Sequence, residues 1–408
     1  MSGARLVRVL TLAAVASLSV AGCAAKTNSG DSGGGAGSNV DIPVVSQLPV
    51  PPNAASPAGS GNATCSGVTI AYAGAETGPN AQLGINILNG VQLAINEHNQ
   101  ANKNCQVALK KFDTEGDPGK APGVVTQLVS ESDIIGVIGL PFSGESKATG
   151  GTFQQANLVH ITPSATNPAL TKNGWSTFFR ALGNDAVQGP AAAKFIVDKL
   201  KANKVCVVQD DSDYGIGLAT AANQALGDKA KDCQDKVTTG QKDFSATVSK
   251  IMNAKPDAVF YSGYYAEGAP LDQQLVNKGF TGKFVAPDGV KDDKFLQLAG
   301  DASGNAYFTC PCVPGELLQK FSDAYKGVSG GQAPGTYSLE GYDATTILLK
   351  GIDSGIKDRA GLTNYVKNYD GDGFSKHFKW DATGELATST VYGYKVDHGK
   401  IVYVGTIS

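Results

Sequence analysis

The sequence predicts an α/β protein built from two doubly wound, mostly parallel sheets that follow one another along the chain. From residue 65 onward, short apolar segments alternate with segments of helical periodicity, as in parallel sheets covered by helices on both faces. This alternation starts again after residue 185. The chain has 408 residues, 41% of them hydrophobic and 17% charged, and is longer than one compact domain usually is. We therefore expect two domains, each with its own core.

The first unit is predicted to contain four strands and three helices. The apolar segments predict strands over 68–73, 107–112, 134–138 and 159–162. The helices between them are predicted over 81–100, 121–130 and 144–156. The longest helix has an apolar face made of Ile87, Leu88, Val91, Ala94 and Ile95.

The second unit repeats the alternation without a detectable repeat of individual residues. Helices are predicted over 187–200, 218–226, 244–254 and 270–278. Strands are predicted over 204–209, 236–239, 258–262 and 283–286. No elements are assigned beyond residue 286.

The N-terminus is predicted to be an export signal. Arg5 and Arg8 give it a positive start, and the mainly apolar run of twelve residues over 9–20 is too short to span a membrane comfortably. The segment ends in Val-Ala-Gly-Cys, which resembles the bacterial lipobox. We therefore predict a signal peptide over 1–22 and a lipid on Cys23, which would be the only membrane attachment and would hold the protein at the outer face of the cell membrane. The alternative is an ordinary signal peptide with a chance cysteine.

Residues 23–64 are predicted to be a lipidated, flexible tether. They are rich in Gly, Ser, Asn, Ala and Pro and show no sustained apolar periodicity. A flexible coil of about 40 residues would reach roughly 35 Å, which is enough to hold a domain clear of a membrane.

Charge and motifs exclude several functions. The formal charge of −3 gives no basic footprint for nucleic acid. The four histidines show no metal-like spacing, and there is no P-loop, nucleophile elbow or dinucleotide fingerprint. Ser143 lacks the glycine two residues before it that a nucleophile elbow requires. We therefore expect no metal, no cofactor and no enzymatic activity.

Six cysteines follow Cys23, an even number that suggests disulfides in an exported protein. In a sheet of order 2-1-3, Cys65 and Cys105 stand just before neighbouring strands, so we expect them to pair. The same reasoning pairs Cys206 with Cys233, although Cys206 could also be a buried small hydrophobe. Cys310 and Cys312 are left to each other, in a small ring.

Polar loops follow several predicted strands. In open α/β sheets, ligands lie at the carboxyl ends of strands, and a helix N-terminus there favours a carboxylate. The loop ending at Ser143 opens such a helix, although Ser143 could simply cap it. The loop 162–168 offers further hydroxyls, although it could be a plain turn. In the second unit, Tyr214, Tyr264 and Asp288 stand at comparable positions, and Asp288 could equally be a turn residue.

Ten short phrases occur in a characteristic order between residues 76 and 386. They are ETGPNAQLG, FDTEGDP, IGLPFSGES, ITPSATNPALT, QGPAAAKFI, DSDYGIGLA, KDFSATV, YSGYYAE, APDGV and FKWDATGEL. In this order and spacing, the chain resembles the leucine/isoleucine/valine-binding family of solute-binding proteins of ABC importers. The resemblance implies the type I periplasmic-binding-protein fold, in which two lobes are joined by three hinge segments.

The resemblance also implies lobe boundaries and a binding site. Lobe one would be 65–184 with 314–385, and lobe two 185–313 with 386–408. The ligand contacts implied for lobe one are Ser143, Ser164, Ala165 and Thr166. Those implied for lobe two are Tyr214, Tyr264 and Asp288, with Asp288 receiving the ammonium of an amino acid. The side-chain pocket would be shaped by Leu83, Phe142 and Tyr337. Relatives often carry glutamate where this chain has Asp288, which reaches less far.

The implied function is capture of an amino acid, foremost leucine, isoleucine or valine, and its delivery to an ABC permease by a monomeric lipoprotein. Two alternatives stay open on the sequence. One is a ligand-sensing receptor domain of the same fold for another amino acid, an amide or an aromatic acid. The other, more remote, is a lipoprotein hydrolase.

Overall fold

The structure is a computed structural model that describes residues 42–407. The predicted signal peptide, Cys23 and the first part of the predicted tether lie outside the described residues.

The first sheet has five parallel strands in the order β2-β1-β3-β4-β5. The strands are β1 (Thr69–Gly74), β2 (Ala108–Asp113), β3 (Ile134–Gly139), β4 (Val159–Thr162) and β5 (Phe178–Arg180). Every residue of β1 and β3 is buried, because helices cover both faces of the sheet. This explains why these strands are continuous apolar runs rather than alternating ones.

Helices from two separate parts of the chain cover this sheet. They are α1 (Ala81–Ala101), α2 (Ala121–Ser130), α3 (Ser143–Gln155), and later α9 (Gln319–Lys326), α10 (Ser338–Asp353) and α11 (Arg359–Lys367). Helices α1 and α10 pack closely at Gly90, where a Cβ atom would lie 2.0 Å from the carbonyl oxygen of Ser338. A side chain at Gly90 would therefore push the two helices apart.

The second sheet has seven strands in the order β14-β13-β10-β9-β8-β6-β7. They are β6 (Val205–Gln209), β7 (Gln234–Lys236), β8 (Ala258–Ser262), β9 (Lys283–Ala286), β10 (Ala306–Cys310), β13 (Val391–Asp397) and β14 (Lys400–Ile407). The first five are parallel, whereas β13 runs antiparallel to β10 and β14 antiparallel to β13. A separate hairpin joins β11 (Asp370–Asp372) to β12 (His377–Lys379).

The helices of the second lobe are α4 (Asp185–Lys194), α5 (Asp213–Leu226), α6 (Ser245–Ala254), α7 (Tyr265–Asn277) and α8 (Asp293–Ala299). The chain moves between the two sheets three times: after β5, after β10 and before β13. The predicted fold class, two doubly wound lobes of the type I periplasmic-binding kind, is confirmed. The exact lobe boundaries stay a prediction.

Some helix boundaries differ from the sequence prediction. Helix α5 begins five residues earlier than expected, because the Ser212 hydroxyl caps it by accepting a hydrogen bond from Gly215 N at 2.9 Å. Helix α7 begins at Tyr265 and tolerates Pro270 inside it, whereas the prediction took Pro270 as the first helical residue. The helix predicted over 187–200 begins at Asp185 and continues as a π-helical turn over Phe195–Lys199.

Other differences concern strands. The strand expected over 236–239 lies at Gln234–Lys236, directly after Cys233. The short strand β5 was not predicted, nor were β10 and the antiparallel pair β13 and β14. These elements complete the two sheets, so both sheets are wider than the sequence indicated.

The second part of the predicted tether is packed rather than flexible. Val45 N donates to Tyr403 O at 3.0 Å, and Ala55 N donates to Asp372 O at 2.7 Å. Ile42 is buried against the core. The prediction of a flexible coil was therefore wrong for residues 42–64, because scattered apolar and backbone groups find partners on the domain surface.

Three disulfides join the six cysteines of the described chain. Cys65 pairs with Cys105 and Cys206 with Cys233, with Cα–Cα distances of 4.3 and 4.6 Å. Each of these two crosslinks joins the starts of neighbouring strands. Cys310 pairs with Cys312 where the chain leaves β10. The first two pairings were expected from the strand order, and the third because Cys310 and Cys312 remained for each other.

Candidate functional site

The first face of the site is formed where β3 and β4 end. Ser143 begins α3 and is buried, and its hydroxyl accepts a hydrogen bond from Asn167 N at 3.2 Å. Ser164 donates from its hydroxyl to Pro141 O at 2.7 Å, which ties the two loops together. The Thr166 hydroxyl is buried and has no hydrogen-bond partner within the described chain. This face therefore offers hydroxyls and a helix N-terminus.

The buried guanidinium of Arg180 holds one loop of this face in place. The Arg180 guanidinium donates to the carbonyl oxygen of Ala165 and, at 3.1 Å, to that of Asn167. It also forms an ion pair with Glu385 at 2.9 Å. Arg180 thus holds the loop that carries Ala165 and Thr166, and the Ala165 carbonyl points towards Arg180. The sequence analysis missed this role, although an arginine ending an apolar segment is an unusual signal.

The second face is centred on Asp288, which is completely buried in the loop after β9. Its carboxylate accepts hydrogen bonds from Tyr214 Oη at 2.7 Å, from Gln188 Nε2 at 2.6 Å and from Tyr337 Oη at 2.5 Å. Burial raises the pKa of Asp288, and the three hydrogen bonds oppose that shift. The carboxylate is therefore held in one position by groups from three parts of the chain.

The two faces meet across a closed cleft. Tyr337 belongs to the part of the chain that covers the first sheet, yet it reaches Asp288 of the second lobe. The Phe142 and Tyr264 rings contact edge to face, with centroids 4.9 Å apart. Asn167 Nδ2 donates to Asp213 O at 2.6 Å. These contacts bring predicted residues of both lobes together and describe the closed arrangement.

The remaining predicted residues are also buried. Tyr214 and Tyr264 pack against each other with ring centroids 5.1 Å apart. Leu83 is fully buried in α1, within the same apolar cluster as Phe142. Tyr337 adopts a left-handed backbone conformation with φ of 68°, an uncommon one for a non-glycine residue, and this directs its hydroxyl to Asp288.

Asp185 is a candidate site residue that the sequence analysis missed. Its N–H donates to Thr166 O at 2.9 Å, and both oxygens of its buried carboxylate lack a hydrogen-bond partner in the described chain. Burial raises the pKa of Asp185 to about 8, and the nearby Asp288 contributes to the shift. The Thr166 hydroxyl faces this carboxylate closely enough to oppose the shift without reaching hydrogen-bond geometry. The only signal in the sequence was the Asn184 cap before the QGP phrase.

The fold and this cleft define a class: proteins with two α/β lobes that bind a small solute between them. The model of the periplasmic binding protein family matches residues 67–400. The chain belongs to this family, whose members are substrate-binding proteins and not enzymes.

Curated relatives agree with this assignment. The chain is 31% identical over 345 residues to an amino acid binding protein of Pseudomonas aeruginosa, with 81% of this chain and 90% of the relative covered. It is 30% identical over 328 residues to the Leu/Ile/Val-binding protein of Escherichia coli K12, with 78% of this chain and 88% of the relative covered.

Solved structures agree as well. The branched-chain amino acid transporter substrate binding protein LivJ from Streptococcus pneumoniae, in complex with isoleucine, matches with a TM-score of 0.76 at 27% identity, over 82% of this chain and 97% of that chain. The leucine binding protein LivK from Thermotoga maritima matches with a TM-score of 0.74 at 28% identity, over 84% and 99%. Family membership indicates an exported binding protein. Within residues 42–407, no helix is long and apolar enough to cross a membrane.

Proposed function

We propose that this protein binds a branched-chain amino acid between its lobes and delivers it to an ABC importer from the outer face of the cell membrane. The observation that carries this proposal is Asp288, a fully buried carboxylate held by three donors where the lobes meet. A buried carboxylate in a closing cleft is suited to an ammonium group, because each charge then compensates the desolvation of the other.

The ligand carboxylate is assigned to the first face. Ser143 supplies a hydroxyl, and the first turn of α3 supplies N–H groups with a partial positive charge. The Ser164 hydroxyl already donates to Pro141 O. We therefore assign it to shaping the loop and to accepting a hydrogen bond from the ligand ammonium.

The ligand ammonium is assigned to Thr166, Asp185 and Asp288. The Thr166 hydroxyl and the Asp185 carboxylate are buried polar groups without partners in the described chain, and a cationic donor would satisfy both. Tyr214 and Tyr264 close over this end of the ligand from the second lobe. The branched side chain would lie against Leu83, Phe142 and Tyr337.

Closure is the signal that the importer reads in this proposal. A ligand that contacts both lobes binds the closed state more tightly than the open one and so raises its population. The names of similar proteins as branched-chain amino acid transporter components support delivery to a permease. The lipid on Cys23 would keep the monomeric protein close to that permease.

Calorimetric titration tests the ligand assignment. Protein freed of bound solute by unfolding and refolding, with its disulfides intact, is titrated with leucine, isoleucine, valine and benzoate. Micromolar or tighter binding of the three amino acids, with no binding of benzoate, is the expected result. Binding of benzoate in preference to the amino acids would replace the proposed ligand class.

Lipidation has its own test. Cells that produce the wild-type chain or the Cys23→Ser variant are fed an alkyne-labelled fatty acid. Labelled, membrane-bound protein is expected for the wild type only. Equal labelling of the two chains would show that Cys23 is not the acylated residue.

A further inference from the structure

A polar cavity of about 460 Å³ lies beside the Asp288 site, and nothing in the proposed function uses it. Gln82 and Thr336, which line it, precede Leu83 and Tyr337, two residues of the predicted side-chain pocket. Lys291, three residues after Asp288, also lines it. The cavity therefore adjoins the proposed binding site, and its volume falls in the range of small-molecule sites.

Both lobes contribute to this cavity. Asn86 of α1 donates from Nδ2 to Asp292 of the second lobe at 2.9 Å, which closes one wall. Thr336 donates from its hydroxyl to the carbonyl oxygen of Lys291, which joins the lobes at another wall. A molecule bound here would contact both lobes, so it would favour the closed state as the main ligand does.

Lys291 is the unusual residue of the cavity. This residue is only 6% exposed, yet no carboxylate of residues 42–407 forms an ion pair with its ammonium within 4 Å. The ammonium lies 4.2 Å from the centre of the Tyr394 ring and 3.4 Å from Thr336 Oγ1. A cation–π contact and one long hydrogen bond leave donor capacity of a lysine ammonium unused.

Of the three acidic residues that line the cavity, only Asp292 accepts side-chain hydrogen bonds in the described chain, and none forms an ion pair with Lys291. Asp292 accepts from Asn86 through one oxygen and caps α8 through the other, from Lys294 N at 2.8 Å. Asp293 lies exposed on the rim. Glu316 also lines the cavity; burial raises the pKa of Glu316 and the Lys291 charge opposes that shift, although the two groups form no ion pair within 4 Å. A nearly buried cation without a close anionic partner favours an incoming anion, because the anion would compensate the desolvation of the lysine.

We propose that this cavity is a carboxylate-binding subsite in which Lys291 is the cationic partner. The carboxylate has two possible sources. It can be the far end of a longer amino acid whose ammonium is bound at Asp288, which rests on the proposed function, or it can belong to a separate small carboxylate that binds beside the main ligand. In both cases the carboxylate binds Lys291 and stabilises the closed cleft.

Calorimetry on refolded protein tests the first source. L-glutamate and L-leucine are titrated into the full chain, into Lys291→Met and into Lys400→Met, which removes an exposed lysine from the rim of the same cavity. If the carboxylate is the far end of a longer amino acid, Lys291→Met lowers the affinity for glutamate at least about tenfold and that for leucine less than threefold. Lys400→Met changes neither affinity.

Thermal unfolding tests the second source. Succinate is added to leucine-saturated wild type, to Lys291→Met and to Asp288→Asn without leucine. A rise in melting temperature in the first and third proteins but not in Lys291→Met supports a separate carboxylate. Because Asp288→Asn is tested without leucine, its response to succinate does not depend on the main ligand site. Lys291→Arg keeps the positive charge and is expected to retain the response to succinate. It shows whether the loss in Lys291→Met comes from the missing charge or from a folding defect.

Either of two results overturns the proposal. In the first, glutamate and succinate have equal effects on wild type and on Lys291→Met. In the second, Lys400→Met loses as much glutamate affinity as Lys291→Met does. Either result would make Lys291 a structural residue held by Tyr394, and the cavity a solvated mouth of the cleft.

Discussion

The two faces of the cleft are built differently. The contacts of the first face lie within one lobe: Ser143 and Ser164 are hydrogen-bonded to neighbouring backbone, and Arg180 holds the loop that carries Ala165 and Thr166. The second face depends on closure, because Asp288 gains its Tyr337 hydrogen bond only from a residue that covers the other sheet. The difference suggests that the first face receives the solute and that the second face registers its presence.

If this division is right, the largest effect should come from the second face. Asp288→Asn keeps the shape and removes the charge, so the ligand ammonium would be buried without its anionic partner. We expect leucine affinity to fall more than about 100-fold in calorimetry. Asp293→Asn, an exposed neighbour, is the matched control and should bind as wild type does. A loss of less than threefold in Asp288→Asn would remove this residue from the ammonium site.

Asp185 links the two faces and should have an intermediate effect. Asp185→Asn removes one of two carboxylates near the ammonium, so we expect about a tenfold loss of leucine affinity. Its folded-state pKa of about 8 lies above the ordinary value of 3.8, so at pH 7 the carboxyl is mostly protonated. An adjacent ammonium lowers that pKa, and binding should therefore release protons.

Proton release gives a second readout for Asp185. Titrations at pH 7 in two buffers of different ionisation enthalpy should show release in wild type and less release in Asp185→Asn. Because the folded state binds the extra proton between about pH 4 and pH 8, stability of the ligand-free protein should fall as pH rises through that window. Asp185→Asn should flatten that dependence. Equal proton release in both proteins would place Asp185 away from the ligand.

The smallest effect is expected on the first face. Ser143→Ala removes one hydroxyl, whereas the N–H groups of α3 remain to hold the ligand carboxylate. We expect about a fivefold loss of leucine affinity, less than a full hydrogen bond to a charged group would give, because the remaining N–H groups still hold the carboxylate. Ser146→Ala, on the same helix turn, removes a hydroxyl that donates to Leu140 O and serves as the control. A loss as large as that of Asp288→Asn would contradict the division between the faces.

The sequence predicted the parts of the fold that depend on local pattern. Buried strands such as β1 and β3 are continuous apolar runs, and β1 is followed by the clear helical periodicity of α1. The antiparallel strands β13 and β14 are also rich in Val, Ile and Tyr, but they are mostly half-buried and lie outside the strand–helix alternation on which the prediction rested. The packing of residues 42–64 depends on distant partners such as Tyr403, which local composition does not reveal.

The site was predictable to the extent that its residues follow strands or match family phrases. Asp288 was proposed on both grounds, and the structure places it in a buried network. Asp185 and Arg180 were missed because their roles depend on three-dimensional neighbours: Thr166 for the first, and the Ala165 carbonyl and Glu385 for the second. Tyr337 was expected to shape the side-chain pocket. Its hydrogen bond to Asp288 could not be predicted, because it forms only when the lobes are closed.

A crystal structure of the refolded protein with isoleucine tests the central claim most directly. We expect the ammonium of isoleucine within hydrogen-bond distance of Thr166 and Asp288, its carboxylate at Ser143 and the first turn of α3, and its side chain against Phe142. Isoleucine bound outside the gap between the two sheets, or an Asp288 carboxylate turned to bulk solvent in the closed protein, would contradict the account.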